Sequence, residues 1–357
     1  MSSQKNIYII DNNSLNSKYG QCPTGGNTDI TSQPSTLPST FFQQSDKSYI
    51  FQNPEYIDKI TKKYDEELLF PLKDGKINDY EQYIYLLENI IDKLKIQDIS
   101  SAHLLLTEQE IISDREREIL TEILFEKFKF KGVFLAKKPV CAIYADKNNT
   151  EKTGLVFYSG DSFTSVTPVY DGYSVRPFTR SNTYINIGGF NLLKNISEKA
   201  NTLFTYPDNK IVFDFLTLYL NDFTDLSSHE SITKESTQDR DEIKISNGIT
   251  SFSISKQEIL DTKVDGNIDI FDIASDLLNS SIDGLDAQLQ ESLLKNIVLV
   301  GRTTMFSGFK EQFIQKTNDQ FKYQQPIKYF SSDGKINPAN SIWYGASNLI
   351  NSPGFEA

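Results

Sequence analysis

Residues Gly154–Tyr173 read GLVFYSGDSFTSVTPVYDGY: an apolar run, a Ser-Gly-Asp turn, a Thr/Val-rich run and a second turn at Asp171-Gly172. β-Branched and aromatic residues alternating around small polar turns make a β-hairpin. A turn rich in Gly, Ser and Asp also presents backbone N–H groups that suit a phosphate. Most such hairpins are hairpins and nothing more. This one becomes decisive because the other end of the chain repeats it. There Ile7-Tyr8-Ile9-Ile10 runs into Asp11-Asn12-Asn13-Ser14, followed by Lys18 and Gly20. Two such hairpins, one opening each half, form an internal repeat, which predicts two related lobes facing a cleft.

Length agrees with that reading, since 357 residues exceed one ordinary core. No apolar run approaches the roughly 18 residues of a membrane helix, so no membrane insertion is expected. The first residues lead straight into a strand with no signal-peptide core. Cys22 and Cys141 stand far apart in sequence and suggest a reduced intracellular compartment rather than a disulfide framework. A net charge of −12 and a pI near 4.8 argue against direct nucleic-acid binding, because phosphates would be repelled.

Between the hairpins, Gln21–Ser45 is polar and Pro-containing, with Phe41-Phe42 and Tyr49–Phe51 as its apolar anchor points. Helical spacing appears over Pro54–Leu69, over Asp79–Leu94 capped by Asn78 or Asp79, and from Ser113 to about Phe128. His103–Thr107 reads as a buried strand, and Phe134–Tyr144 as a strand followed by a helix. In the second half, Tyr184–Ile187 is a strand. Helices are predicted from Phe190 to about Ala200, over about Ile211–Leu220, Ile270–Leu278 and Leu285–Lys295. Asp225–Asp241 is a polar loop, and Ile243–Ile254 a hairpin around Asn247-Gly248. Asn296–Val300 is a strand feeding a small-residue turn, Gly301–Gly308, that opens a helix; such a helix start is a natural anion site.

Other chemistries lack support. His103 and His229 have no metal-ligand spacing and no triad partners. P-loop and dinucleotide-fold glycine patterns are absent.

Taken in order, these landmarks resemble actin and the actin-related proteins. Asp11-Asn12-Asn13-Ser14 with Lys18 is similar to the family's first phosphate loop. Leu104-Leu105-Leu106-Thr107-Glu108 and Phe125-Glu126 are similar to further landmarks. Ser159-Gly160-Asp161 with Thr164, Pro168, Tyr170, Gly172 and Tyr173 is similar to the second phosphate loop. Gly301, Thr303-Thr304-Met305 and Gly308 are similar to the adenosine-side loop, and Ser341-Ile342-Trp343 with Gly345 to the last conserved strand, leading into a brief last helix.

The resemblance implies an α/β fold of two lobes, built from duplicated ribonuclease-H-like mixed sheets flanked by helices, with ATP and a divalent cation between them. The first-lobe core would take residues 1–32, 71–145 and 339–357, with 33–70 as a small insertion. The second-lobe core would take 146–187 and 257–338, with 188–256 inserted.

Departures from the family pattern cluster in the cleft. Two first-loop glycines are Asn13 and Leu15, whose β-carbons obstruct approach to phosphate. The Asp that helps hold metal-bound water is Tyr158. The water-orienting Gln is Lys138, the His beside it Ser165, and a Gly against the nucleotide is Arg302. Adenine and ribose contacts fall at Phe213, Leu216, Thr217 and Ala339, none of the family's type. The possible, degenerate nucleotide set is therefore Asp11, Asn12, Asn13, Ser14, Lys18, Gly160, Asp161, Ser162, Thr164, Gly301, Arg302, Thr303 and Met305, with Lys138 and Tyr158 as substituted cleft positions. Lys138 is expected to enter the cleft and bond to both Asp11 and Asp161 in place of the metal, with Arg302 either playing a similar part from the opposite wall or pointing to solvent.

The filament-contact loop is expected to be shortened at about Pro38–Lys47, and the chain stops at Ala357, before the family's final helical stretch. The resemblance thus implies a non-enzymatic structural subunit of a cytoskeletal, dynactin-like or ciliary assembly. It would be cytoplasmic, with the nucleus left open, and partnered by other protein subunits such as actin or actin-related chains. No cofactor is expected. Two readings stay open beside it: an ATP–magnesium-binding switch with slow hydrolysis, and a subunit of a nuclear chromatin-remodelling complex.

Overall fold

The computed structural model describes residues 6–23, 33–43, 48–51, 68–175, 183–191, 242–246, 251–255, 269–305, 309–321, 328–329, 338–353 and 355. The helix expected at about Ile211–Leu220 and the loop at Asp225–Asp241 lie outside these residues, as does most of the helix from Phe190. So does the helix expected over Pro54–Leu69, except Leu68–Leu69, which form a short strand beside Phe41–Gln43.

The first sheet holds β1 (Ile7–Asp11), β2 (Asn16–Gln21), β3 (Ser35–Pro38), β4 (His103–Glu108) and β5 (Gly132–Lys137), in the order β5-β4-β1-β2-β3. The second holds β6 (Gly154–Ser159), β7 (Thr164–Tyr170), β8 (Tyr173–Ser174), β9 (Tyr184–Ile185), β10 (Ile297–Val300) and β11 (Lys328–Tyr329). Its order is β8-β7-β6-β10-β11, with β9 beside β7. The two orders are one pattern used twice. An antiparallel run starts each half (β1-β2-β3, β6-β7-β8), and two parallel strands complete the sheet on the other side of its first strand. The internal repeat read from the two hairpins is thus present as a duplicated mixed sheet.

Every residue of β1 and β6 is buried, as expected for central strands covered on both faces. At the β7–β8 turn Asp171 and Gly172 take φ of 50° and 79°. Positive φ at both central residues is the hairpin turn that matches strand twist.

Seven described helices cover the sheets. α1 (Tyr80–Leu94) is capped by Asp79, which accepts from Gln82 N, and it buries Tyr83, Leu86, Leu87, Ile90 and Ile91. α2 (Asp114–Glu122) opens with a capping box between Ser113 and Glu116 and continues as a wider turn, Ile123–Lys127. α3 (Lys138–Ala145) follows β5 directly, with Pro139 in its first turn. α4 (Ile270–Ile282), α5 (Ala287–Leu294) and α6 (Phe309–Phe321) belong to the second half, and α7 (Ser341–Ile350) closes the fold.

These elements stack in layers. α1 and α2 pack on Ile10, Leu104 and Leu106 of the first sheet. α4 and α6 pack on Phe157 and Leu299 of the second, through Phe271, Phe309 and Phe313. α3 and α7 fill the middle, where Cys141, Ala142, Ile342, Trp343 and Ala346 meet Ile9 and Leu105 from one sheet and Val156, Val298 and Val300 from the other. The two helices cross closely: a Cβ on Gly345 would fall 1.7 Å from Cys141 O.

α7 corrects one expectation. Ser341–Trp343 are not a strand but the first turn of this helix. The spacing of Ile342, Trp343, Ala346 and Ile350, all buried, is helical and matches the face that meets α3.

The segment that follows β3 anchors where the aromatic residues predict. Phe41, fully buried, packs against Tyr49 and Tyr85 at 4.8 and 5.4 Å, and Phe51 stacks on Tyr85 at 5.6 Å.

Candidate functional site

The tips of the two long hairpins face each other across the cleft. On the first, β1 ends in Asp11 and the chain turns through Asn12, Asn13, Ser14 and Leu15 into β2. On the second, β6 ends at Ser159 and turns through Gly160, Asp161, Ser162 and Phe163 into β7. Lys138, the first residue of α3, enters from the middle layer and is 1% exposed.

An ammonium carries three N–H donors, and Lys138 has a partner for each. Its Nζ lies 2.9 Å from Asp11 Oδ1 and donates to Asn12 O and, at 2.7 Å, to Asn13 Oδ1. Thr107 Oγ1 donates to the same Asp11 oxygen at 2.7 Å, and Asn13 Nδ2 donates to Asp11 Oδ2 at 3.2 Å. Burial alone would raise the Asp11 pKa. Lys138 and Lys18, with hydrogen bonds from Lys138 and Thr107, outweigh that and hold the carboxyl below its usual range.

Lys18 fares differently. Its Nζ is 3.9 Å from Asp11 Oδ2. Burial pushes its pKa down to about 8, against the pull of Asp11 and with further repulsion from Arg302 and Lys138. Burial is the larger cause, and the closest contact to Asp11 is already taken by Lys138, at 2.9 Å.

Asp161 is not the second partner of Lys138. Arg302 faces it, with Nε 3.7 Å from Asp161 Oδ1. The expectation that one ammonium serves both carboxylates is therefore corrected: Lys138 is saturated on the first loop, and the second loop has its own cation. Arg302 also reaches across the cleft. With the Asn16 amide turned to satisfy both neighbours, its oxygen accepts from Arg302 Nη2 at 2.8 Å and its nitrogen donates to Leu15 O at 3.2 Å.

Further contacts join the hairpins. Ser14 Oγ and Ser162 Oγ are 2.9 Å apart, and Asp74 N donates to Ser162 Oγ at the same distance. Tyr158 OH donates to Asn13 Oδ1 at 3.3 Å. Burial pushes the Tyr158 hydroxyl pKa up, and the carboxylates of Asp161 and Asp11 add to the shift. Leu15, 2% exposed, leaves the first hairpin to join the core of the second lobe with Phe157, Val166 and Ile187. Asn12 Nδ2 donates to Tyr83 OH at 2.6 Å.

The rest of the expected set holds the second loop in shape. Thr164 Oγ1 donates to Ile187 O at 2.7 Å and lies 2.9 Å from Ser159 Oγ. Thr303 Oγ1 donates to Gly160 O at 2.8 Å. Gly301, with φ of 100°, passes so close to Ser159 that a Cβ would sit 2.2 Å from its carbonyl oxygen. Arg302–Met305 form a single 3-10 turn. Phe213, Leu216 and Thr217 lie outside the described residues. Beside the loops, a cavity of about 40 Å³ is lined by Asn12, Ser14, Thr107, Lys138, Tyr158 and Asp161, among others. Asn16 and Tyr83 were not singled out from sequence, and Thr107 figured only within a landmark stretch.

Two comparisons bear on this arrangement. The family model described as Actin matches residues 4–213 and 198–357. Centractin of Saccharomyces cerevisiae is 24% identical over 302 residues, which cover 81% of this chain and 76% of that protein. The family match runs over nearly the whole length. The chain belongs to the actin family.

Proposed function

We propose that this chain is a structural subunit of a multiprotein cytoskeletal assembly, dynactin-like or ciliary, that holds its lobes together with its own side chains and does not hydrolyse ATP. Its partners are other protein subunits, actin or actin-related chains among them, and it works in the cytoplasm. The observation that carries the reading is Lys138, buried with its three protons spent on Asp11, Asn12 and Asn13.

A magnesium ion binds through carboxylate and water oxygens in near-ideal octahedral geometry. Here the oxygens of Asp11 are engaged by Lys138, Thr107 and Asn13, and an ammonium repels a metal cation. A triphosphate needs space and free N–H groups; Leu15 buries its side chain beside the loops, and the cavity that the described residues form there, about 40 Å³, has room for a few waters. Ligand pockets start near roughly 300 Å³. The residues on this phosphate side do not fit a magnesium-bound triphosphate. The likeness to Centractin supports a cytoskeletal setting over a chromatin one.

A second reading, an ATP-binding switch with slow hydrolysis, draws support from Asn12 Oδ1 and Asp161 Oδ1. Both are buried acceptors without a hydrogen bond among the described residues. Acid extraction of the purified chain followed by nucleotide chromatography separates the two. The structural reading expects neither ATP nor ADP, and no magnesium-dependent phosphate release above buffer. Stoichiometric nucleotide, or phosphate release that disappears in Asp161→Asn, overturns it.

A further inference from the structure

β5 is the outer strand of the first sheet among the described residues: it pairs with β4 in parallel, and no described strand covers its other edge. An uncovered edge is a row of backbone donors and acceptors ready to take another strand, and proteins usually blunt it with charge, proline or a bulge. The centre of β5, Val133-Phe134-Leu135, has none of these. Alongside runs α2 with its following turn, and between them lies an open groove of about 940 Å³.

The groove has two chemically distinct sides. α2 presents Asp114, Glu118 and Glu122, and the following turn adds Glu126, at spacings that place them along one helix face. The cation among them, Arg117, is committed to Glu108 at 3.1 Å. Arg115 and Lys129 pair with Glu118 and Glu126 only at the surface, where such pairs are weak. The other side is apolar. Phe125 and Phe134, 37% and 43% exposed, are the two exposed large hydrophobic residues without a polar atom among the described residues, and both line this groove. Side chains alternate along β5: Val133 and Leu135 pack toward the α1–α2 layer, whereas Phe134 turns to the opposite face and meets Phe355 at 5.2 Å.

We propose that this groove takes an extended segment of a partner protein with alternating basic and apolar residues, added as a strand to the free edge of β5. An added strand continues the alternation of β5. Its basic side chains would cross Val133 and Leu135 to the acidic row, laying their aliphatic stems on Phe125. Its apolar side chains would meet Phe134. The acidic groove and the net charge of −12 disfavour a second copy of this chain as the occupant. The proposal rests on the reading of the chain as an assembly subunit and names how one partner is held.

The test uses the full chain and a fluorescein-labelled decapeptide of alternating lysine and valine, with fluorescence anisotropy as readout. Binding should weaken as salt rises. A glutamate–valine decapeptide should not bind, and a lysine–valine decapeptide N-methylated at every second residue should lose affinity by roughly tenfold or more. Glu118→Lys with Glu122→Lys, both exposed, should weaken the parent peptide by a similar factor while melting like the parent. Hydrogen exchange should slow in Gly132–Lys137 on binding. Equal affinity for the N-methylated peptide, unchanged affinity in the double charge reversal, or protection confined to another element would overturn the proposal, as would a dimer of this chain that the peptide dissociates. Failure here, with the chain still recovered at fixed stoichiometry alongside other subunits, would sink the groove and leave the subunit reading standing.

Discussion

At the scale of single residues the cleft is governed by which partner of a buried charge is taken away. Removing one member of a buried ion pair costs about 3–5 kcal/mol, because the other is left unpaired in a poor solvent for charge. Lys138→Gln should therefore lower stability by that order in urea unfolding without nucleotide, although glutamine is the residue that the family resemblance places there. Parent-like unfolding together with new Mg-ATP binding would show that Lys138 has no such role. Lys18 is the excess cation, and its titration has a definite sign. With a folded pKa of about 8 against an unfolded 10.5, the unfolded chain holds a proton between those values that the folded chain has released. Stability then rises with pH across that window, by up to about 3 kcal/mol. The gain should be missing from Lys18→Met, so the stability of that variant relative to the parent should fall as pH rises from 8 to 10.5. Asp11 works at the other end. Its lowered carboxyl contributes stability above its ordinary range, and that contribution is lost as pH falls through the folded value.

At the scale of elements, the first hairpin acts as a plug through Leu15, and α3 and α7 form the seam between the sheets. Leu15→Ala removes a side chain lodged in the second lobe's core and should cost about 2–5 kcal/mol. Hydrogen exchange should then speed up in both hairpins at once; faster exchange in the first hairpin alone would count against a shared core. Gly345→Ala puts a methyl where Cys141 O already sits, and should destabilise by about 3 kcal/mol or more in thermal unfolding. These elements also show what the sequence discloses. The hairpins, a cap at Asn78 or Asp79 and the helix start at Ser113 are legible because turn chemistry, period-2 alternation and cap spacing are local; that Asp79 is the cap and that Glu116 completes a box with Ser113 comes from the structure. α7 was legible as a helix from the spacing of Ile342, Trp343, Ala346 and Ile350, yet family likeness pointed to a strand at its start. The division of labour between Lys138 and Arg302 was not legible. It depends on which loop a long side chain reaches once the layers are stacked. Asn16 and Tyr83 carry no local mark of their cleft roles for the same reason.

At the scale of the whole molecule, the subunit reading predicts that the purified chain does not assemble by itself. Sedimentation should find no polymer of this chain alone under conditions that polymerise actin, and affinity purification from its own cell should recover it at fixed stoichiometry with other subunits. Micrometre-long polymers of the chain alone would contradict this. A ligand that binds only the folded state raises its melting temperature by mass action. ATP, magnesium or a chelator should accordingly leave the melting temperature of this chain where it is.

Leu15 and Lys138 have a consequence for time. A subunit that hydrolyses a bound nucleotide changes state after it joins a polymer, so its neighbours can distinguish an old subunit from a fresh one. Here the wedge between the lobes and the positive charge beneath Asp11 are encoded side chains, present at synthesis and unaltered by use. On the proposed reading such a subunit has no age. An assembly built around it would be dismantled by what its partners do, and starving the cell of energy would not loosen its lobes.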